Sequence, residues 1–216
     1  MLYDRSTTAP PSDAGVPIFV FDLDAVRGAG YRPVAQSLVP GSNHFPLFLY
    51  ARQFPGFDDY WLVEHDVRFT GSWAEFFEAQ ATASDFLTSQ VFTREDHPSW
   101  HWWDSLCHPD HPAPEAMLKS FNPIYRISRA AVEAMERCFA GGWVGHHEVA
   151  LPTLIHHAGL KVEDFGGHGP FVAEGNVDRF YTRCDLSEGG SGSMRYRPVW
   201  ETSGPEPGKL YHPVKS

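Results

Sequence analysis

The sequence predicts an α/β fold in which helices flank a mostly parallel sheet. Short apolar runs at residues 18–21 and 60–63 are typical of buried strands. Stretches with helix-capping residues separate such runs along the chain, and strands that alternate with helices favour parallel pairing. With 42% hydrophobic residues among 216, the chain can bury a sizeable core in one domain.

The N-terminal part combines a loose segment with the first regular elements. Residues 1–17 are rich in Pro, Ser, Thr and Asp, and we predict that they form a flexible arm. Residues 18–21 are predicted to form the first strand. Residues 42–54 are predicted to form a short helix, which ends because Pro55 and Gly56 follow it.

The second predicted strand, residues 60–63, is followed directly by Glu64, His65 and Asp66. The next helix begins at Ser72, where the spacing of Ser and Glu matches a capping box. Carboxylates therefore stand at the end of a buried strand, just before a turn and a helix.

The middle of the chain contains another strand, a loop and two helices. Residues 85–92 are predicted to form a third strand, and residues 97–114 an aromatic, His-rich loop. A helix is predicted to start at the N-cap Ser128. Residues 147–158 form a second helical stretch, in which Pro152 predicts a kink or a new start.

The C-terminal part loses regularity after one more strand, residues 161–165. Residues 185–216 are rich in Gly, Pro and Ser and are predicted to form an irregular tail. We find no internal repeat, and we therefore expect residues 18–216 to form a single domain.

The charge and composition exclude several classes of partner. A formal net charge of -10 disfavours nucleic acid, which requires clustered Lys and Arg. No run reaches the roughly 18 apolar residues of a membrane span, and the N-terminus lacks the pattern of a signal peptide. Three cysteines without metal-type spacing give no disulfide framework. We expect a cytoplasmic protein without a transmembrane segment.

Two motifs carry candidate chemistry. Glu64 and Asp66 share one face of their strand, and paired hard oxygen ligands suit Mg²⁺ or Mn²⁺. Charged residues that simply end a strand are the alternative. His147 and Glu148 open a helical stretch, where a carboxylate can act as a general base. The alternative there is a glutamate that only complements the helix dipole.

Several long strings resemble one family of largely uncharacterised bacterial GT-A-type glycosyltransferase-like proteins. The strings are YWLVEHDVRF at residues 60–69, FNPIYRIS at 121–128, GHHEVALPTL at 145–154, DFGG at 164–167 and LYHPVK at 210–215. The resemblance covers roughly residues 18–216. It implies a GT-A-like (nucleotide-diphospho-sugar transferase) fold and the transfer of a sugar from a nucleotide-sugar donor to a saccharide or other hydroxyl acceptor.

The resemblance also implies roles for particular residues. Glu64 and Asp66 correspond to the acidic metal motif, and His168 is the best match for a C-terminal histidine that joins the metal. Glu148 corresponds to the acceptor-side base of an inverting enzyme. The implied cofactor is Mn²⁺ or Mg²⁺, with the nucleotide sugar as co-substrate.

Other residues are assigned to the donor. The segment around Asn122 and Arg126 corresponds to a loop near the donor sugar, and His147 is placed with these cofactor-binding residues. Arg195, Arg197 and Lys215 can clamp a diphosphate in place of a metal, because basic side chains pair with phosphate oxygens. A solvated basic tail is the alternative for these three residues.

Two further interpretations stay open. The predicted fold is shortened at its N-terminus, since a complete GT-A nucleotide-binding half has another strand and helix ahead of residues 18–21. A catalytically silent binding module is therefore one alternative. Asp22 and Asp24, after an apolar run, also resemble the first motif of haloacid-dehalogenase-type phosphatases.

Overall fold

The computed structural model of the chain describes residues 1–6, 8–9, 11, 15–182 and 192–215. The strands are β1 (Leu2–Asp4), β2 (Phe19–Phe21), β3 (Asp59–Val63), β4 (Arg68–Phe69), β5 (Phe86–Thr93), β6 (Leu118–Ser128), β7 (Val162–Asp164) and β8 (Leu210–Tyr211). The helices are α1 (Leu23–Gly28), α2 (Phe45–Gln53), α3 (Trp73–Ala79), α4 (Arg129–Gly141) and α5 (His147–His157).

The central sheet has four strands in the order β3-β6-β5-β7. β5 and β7 are parallel, whereas β6 is antiparallel to both of its neighbours. β3, β5 and β7 therefore point in one direction, and β6 opposes them. The predicted α/β class is confirmed, and the sheet is mixed because residues 118–128 form a strand that the sequence analysis did not assign.

Alternation along the strands divides the apolar residues between two cores. Tyr125 and Ile127 of β6 belong to the core that contains residues of α2, α4 and α5. Ile124 of β6 belongs to a second core, with Phe76 of α3 and Leu210 of β8. Since successive strand residues point to opposite faces, the central sheet lies between the two cores.

The two long helices behind the sheet have clear boundary signals. The Ser128 side chain accepts a hydrogen bond from the Ala131 N–H at 3.1 Å and caps α4. Gly142 ends α4 with a φ of 112°, a left-handed conformation that favours glycine. α5 continues through Pro152, so the predicted kink or new start does not divide it into two helices.

The N-terminal residues form a small sheet of their own. Within the predicted arm of residues 1–17, Leu2–Asp4 form β1, which pairs in parallel with β2. The predicted first strand is thus present as β2, but it lies outside the central sheet. Asp22 caps α1 and pairs with Arg5, with 2.6 Å between guanidinium nitrogen and carboxylate oxygen.

The C-terminal segment is partly regular. β8 pairs antiparallel with β4, so the predicted tail of residues 185–216 includes a strand. Residues 183–191, including Cys184, lie outside the described residues. None of the described helices has the length and apolar character needed to cross a lipid bilayer.

Candidate functional site

A cavity of about 770 Å³ opens where β3 ends, and most of the predicted site residues line it. Because β6 is antiparallel to β3, its N-terminal half lies at the same sheet edge, and the start of α5 and the C-terminal segment complete the walls. The predicted residues found there are Glu64, Asp66, Asn122, His147, Glu148, Arg195 and Lys215. Arg126 and His168 are not in the lining.

Glu64 and Asp66 are joined by a histidine from the far end of the chain. The Nε2 atom of His212 lies 3.3 Å from a Glu64 carboxylate oxygen and 3.5 Å from Asp66 Oδ1. One candidate ligand atom from each residue lies within 4.8 Å of the other two. Two carboxylates and an imidazole in such an arrangement match the ligand types of a divalent cation.

The contact of His212 Nδ1 fixes the direction in which Nε2 of the same ring points. Nδ1 lies 2.9 Å from the carbonyl oxygen of Arg195. A carbonyl only accepts, so Nδ1 carries the proton, and the lone pair of a neutral ring is on Nε2, facing the carboxylates. Asp66 Oδ1 is buried and receives no hydrogen bond in the described structure. A cation bound between these groups would satisfy both, so the residues fit a metal.

Lys215 contributes a positive charge to the same cluster. Its Nζ atom lies 2.5 Å from Asp66 Oδ2. Burial of Asp66 favours its neutral form, but the hydrogen bond from Lys215 and the nearby His212 outweigh burial and lower the carboxyl pKa. Asp66 is therefore held in its ionised form.

His168, the histidine predicted to join the metal, lies elsewhere. Its Nε2 atom is 3.2 Å from Asp178 Oδ2, and about half of each side chain is exposed. The structure thus corrects the assignment: His212 completes the cluster. The sequence contains a signal for His212, because this residue is part of the string at residues 210–215 that carries the family resemblance.

Glu148 lies in the first turn of α5, on the wall beside the acidic cluster. Its backbone N–H donates to Nδ1 of His146, the N-cap residue, at 3.3 Å. Burial raises the pKa of Glu148 to about 7, and Glu64 adds to the rise, although Lys119 and the Asn122 backbone N–H counteract it. A carboxylate that gains and releases a proton near neutrality suits general base catalysis.

Asn122 has a positioning role that differs from the predicted one. It lies in β6 rather than in a loop, and only 1% of the residue is exposed. Its Oδ1 accepts hydrogen bonds from the hydroxyls of Thr88 and Ser120, both at 2.7 Å. Its Nδ2 donates to the His147 carbonyl oxygen at 3.3 Å. Asn122 therefore fixes the start of α5, and with it Glu148, relative to the sheet.

Arg126, predicted to lie near the donor sugar, is a structural residue of β6. Its guanidinium donates to the carbonyl oxygens of Gln80, Thr82 and Ser84 at 2.8–2.9 Å. Its Nε atom lies 3.5 Å from Asp59 Oδ1. The side chain holds the connection between α3 and β5 and does not reach the cavity.

Three histidines next to the cavity are uncharged at neutral pH. Burial lowers the pKa of His44 to about 3 and that of His146 to about 4, and it lowers the pKa of His147 as well. The rings of His44 and His147 are stacked, with centroids 5.9 Å apart. The predicted cofactor-binding residue His147 thus lines the cavity as a neutral ring.

The cavity contains basic side chains beside its acidic ones, Glu64, Asp66 and Glu148. Four basic residues line it, Lys119, Arg195, Arg197 and Lys215, against a net charge of -10 for the chain. The Arg195 guanidinium lies 3.9 Å from the centroid of the Trp200 ring, and its Nε donates to the Pro198 carbonyl oxygen at 2.7 Å. The basic side chains can contact an anionic ligand.

Comparison of the chain with protein-family models, with curated proteins and with solved structures gives no match.

Proposed function

We propose that this chain is a nucleotide-sugar-dependent glycosyltransferase with an N-terminally shortened GT-A-like fold. The observation that carries the proposal is the convergence of three groups in one cavity: the cluster of Glu64, Asp66 and His212, the basic residues of the C-terminal segment, and Glu148. Each group matches one requirement of glycosyl transfer, namely a cation site, diphosphate contacts and a base.

The donor half of the cavity is the cluster and the residues beside it. Glu64, Asp66 and His212 would hold Mn²⁺ or Mg²⁺, which when bound neutralises charge on a leaving nucleoside diphosphate. Arg195 and Lys215 line the same part of the cavity and supply donors for phosphate oxygens. Lys215 already contacts Asp66, so it is close enough to contact a ligand bound at the cluster.

Glu148 serves the acceptor in this proposal. Its carboxylate takes the proton of the acceptor hydroxyl, whose oxygen forms a bond to the anomeric carbon as the bond to the diphosphate oxygen breaks. Attack from the face opposite the leaving group inverts the configuration. Glu148 is not a member of the metal cluster, so its lone pairs are available to accept the proton.

A catalytically silent binding module is the second candidate, and one contact favours it. The Lys215 ammonium group pairs with Asp66 and so already provides positive charge at the cluster. A chain that keeps this contact can bind a nucleotide without a metal and without turnover.

The phosphatase interpretation has weaker support, because the Asp22 carboxylate is engaged by Arg5 and by the Ala25 N–H that it caps.

Thermal unfolding with nucleoside diphosphates, with and without Mn²⁺, followed by assays of nucleotide-sugar and phosphate-monoester hydrolysis, separates the candidates. A ligand at 100 times its dissociation constant stabilises by about 2.7 kcal/mol. A transferase gives Mn²⁺-dependent stabilisation and slow hydrolysis of the nucleotide sugar, whereas a silent module gives stabilisation alone. Absence of both effects contradicts both candidates, and phosphate release from a monoester would favour the phosphatase.

A further inference from the structure

The cavity has an aromatic wall that the proposed reaction does not yet use. Trp100 and Trp102 are half-buried and line the cavity together with His101. The neighbouring Trp103 is only 2% exposed, and its indole N–H donates to the His97 carbonyl oxygen at 2.8 Å. Trp103 therefore anchors the loop in the core, and this anchor holds the other two rings at the cavity.

The aromatic wall contacts Glu148, the proposed base, through His146. Trp102 stacks on His146, with ring centroids 4.5 Å apart and an angle of 25° between the planes. His146 is the N-cap of α5, and its Nδ1 atom lies 3.9 Å from Glu148 Oε2. His146 thus lies between the Trp102 ring and the start of α5, and Trp102, His146 and Glu148 all line the cavity.

The two sides of the cavity differ in chemistry. Glu64, Asp66 and His212, with Arg195 and Lys215 beside them, present charged and ligating groups. The loop presents indole and imidazole rings, and Lys119 of β6 approaches it with its Nζ 4.8 Å from the Trp100 ring centroid. A diphosphate matches the first side, and a neutral ligand with an apolar face matches the second.

We infer that the acceptor is a saccharide whose ring packs against Trp102, with a hydroxyl directed to Glu148. A pyranose has an apolar face of C–H groups, which packs well on an indole, and polar hydroxyls at its edge. A Ser or Thr side chain in a peptide has no such face. This inference deepens the proposed function, since it rests on Glu148 serving the acceptor.

Saccharide binding tests the inference without any turnover. The probes are methyl β-glucoside, cellobiose, lactose and maltose, observed by saturation-transfer NMR with the full chain in the absence of nucleotide. The variants are Trp102→Phe, which keeps an aromatic face, and Trp102→Leu, which keeps an apolar side chain without a ring. Trp143→Leu is the matched control, because Trp143 is half-buried but lines a different cavity.

At least one probe should bind, and Trp102→Leu should weaken its binding about 3- to 10-fold. Trp102→Phe should keep most of the affinity, and Trp143→Leu should change nothing. Absence of binding by all four sugars, or equal binding by Trp102→Leu and the unchanged chain, would overturn the inference.

Nucleotide binding by the same variants distinguishes a failure of the saccharide inference from a failure of the proposed function. Trp102→Leu should retain the stabilisation by a nucleoside diphosphate with Mn²⁺, because the donor half is intact. If the unchanged chain binds saccharide through Trp102 but never binds a nucleotide, the proposed function fails while the saccharide site stands. If nucleotide binds and no saccharide does, the inference alone fails.

Discussion

Asp66 is the residue on which the donor half of the candidate site depends. It is buried, its Oδ2 contacts Lys215, and its Oδ1 faces His212 without accepting a hydrogen bond. A buried carboxylate in this setting is stable only as long as positive charge stays near it. Its neighbours in space therefore decide which ligand the cavity accepts.

His212 and His168 allow a matched test of the proposed metal site. His212→Ala should weaken Mn²⁺-dependent nucleotide binding roughly 10–100-fold, because it removes the only imidazole of the cluster. His168→Ala should leave this binding unchanged, since His168 pairs with Asp178 on the surface. Isothermal titration with and without Mn²⁺ measures both variants, and the reverse pattern would restore the original assignment of His168.

Glu148 should give the transfer rate a characteristic pH dependence. With its pKa raised to about 7, the carboxylate form is in the minority at lower pH, so the rate of transfer should rise with pH through about 7 and then level off. Glu148→Gln should lower kcat roughly 10²–10⁴-fold and remove this rising limb.

The stability and the nucleotide affinity of Glu148→Gln serve as controls for its loss of activity. The groups that face it are Lys119, Glu64, His212, His146 and the Asn122 N–H. Because the folded-state pKa is raised, this residue stabilises the fold most at low pH, and that contribution is lost as pH rises through about 7. Glu148→Gln should thus stabilise the chain above neutrality while nucleotide affinity stays nearly constant. Full transferase activity in this variant would exclude Glu148 as the base.

Local patterns in the sequence predicted some site residues better than others. Glu64 and Asp66 directly follow an apolar run, and Glu148 opens a helix, so strand and helix signals were enough to place them at an edge. Strand and helix signals do not distinguish His212 from His168, although His212 belongs to the string at residues 210–215 that carries the family resemblance. The choice depends on the Nδ1 contact with Arg195 and on the pairing of β8 with β4, which are tertiary features.

At the scale of elements, β6 is the strand that the sequence pattern does not predict. Residues 118–128 include Lys119, Asn122, Pro123 and Arg126, which are all unfavourable for a buried strand on pattern alone. In the structure Asn122 accepts a hydrogen bond from Thr88, and Arg126 donates one to the Gln80 carbonyl oxygen. Burial of these residues therefore depends on partners about 34 to 46 positions away, which a periodicity argument cannot identify.

Arg126 should thus matter for stability and not for ligand binding. Arg126→Met leaves the carbonyl oxygens of Gln80, Thr82 and Ser84 without their donor, and we expect a loss of about 2–4 kcal/mol in the free energy of unfolding. Urea unfolding measures this loss. Arg129→Met is a control, because its ion pair with Asp58 is largely exposed and should contribute less than about 1 kcal/mol.

If Arg126 instead contacts the donor, Arg126→Met should weaken nucleotide binding in the folded protein. Titration at a temperature where the variant is fully folded decides between these roles. An unchanged affinity supports the structural role.

At the scale of the whole molecule, the α/β class followed from composition and alternating elements, but the arrangement of strands did not. The run at residues 18–21 resembles a central strand, yet among the described residues its strand β2 pairs only with β1. Antiparallel insertion of β6 between β3 and β5 brings Asn122 and Lys119 to the edge where β3 ends. The GT-A-like interpretation of this arrangement remains a proposal.

Lys215 links the C-terminal segment to the sheet edge, and its removal should make stability depend on metal. Lys215→Met leaves Asp66 without its ammonium partner. The free energy of unfolding should therefore fall by about 1 kcal/mol in the absence of a divalent cation. Mn²⁺ should stabilise this variant more than the unchanged chain, because both cations compete for Asp66. Lys161→Met, which removes the ion pair of the exposed Lys161 with the partly buried Glu163, is the control. Equal Mn²⁺ effects in all three proteins would contradict a metal at Asp66.

The contact between residue 66 and residue 212 also has a consequence for biosynthesis. His212 follows Asp66 by 146 positions (212 − 66), so at roughly 5–20 residues per second a ribosome adds the histidine about 7–30 s after the carboxylate. During that interval the nascent chain has the acidic pair and lacks the His212 imidazole and the Lys215 ammonium group that contact it. Assembly of the cluster of Glu64, Asp66 and His212 is therefore a late event, completed only after the C-terminal segment has left the exit tunnel and docked.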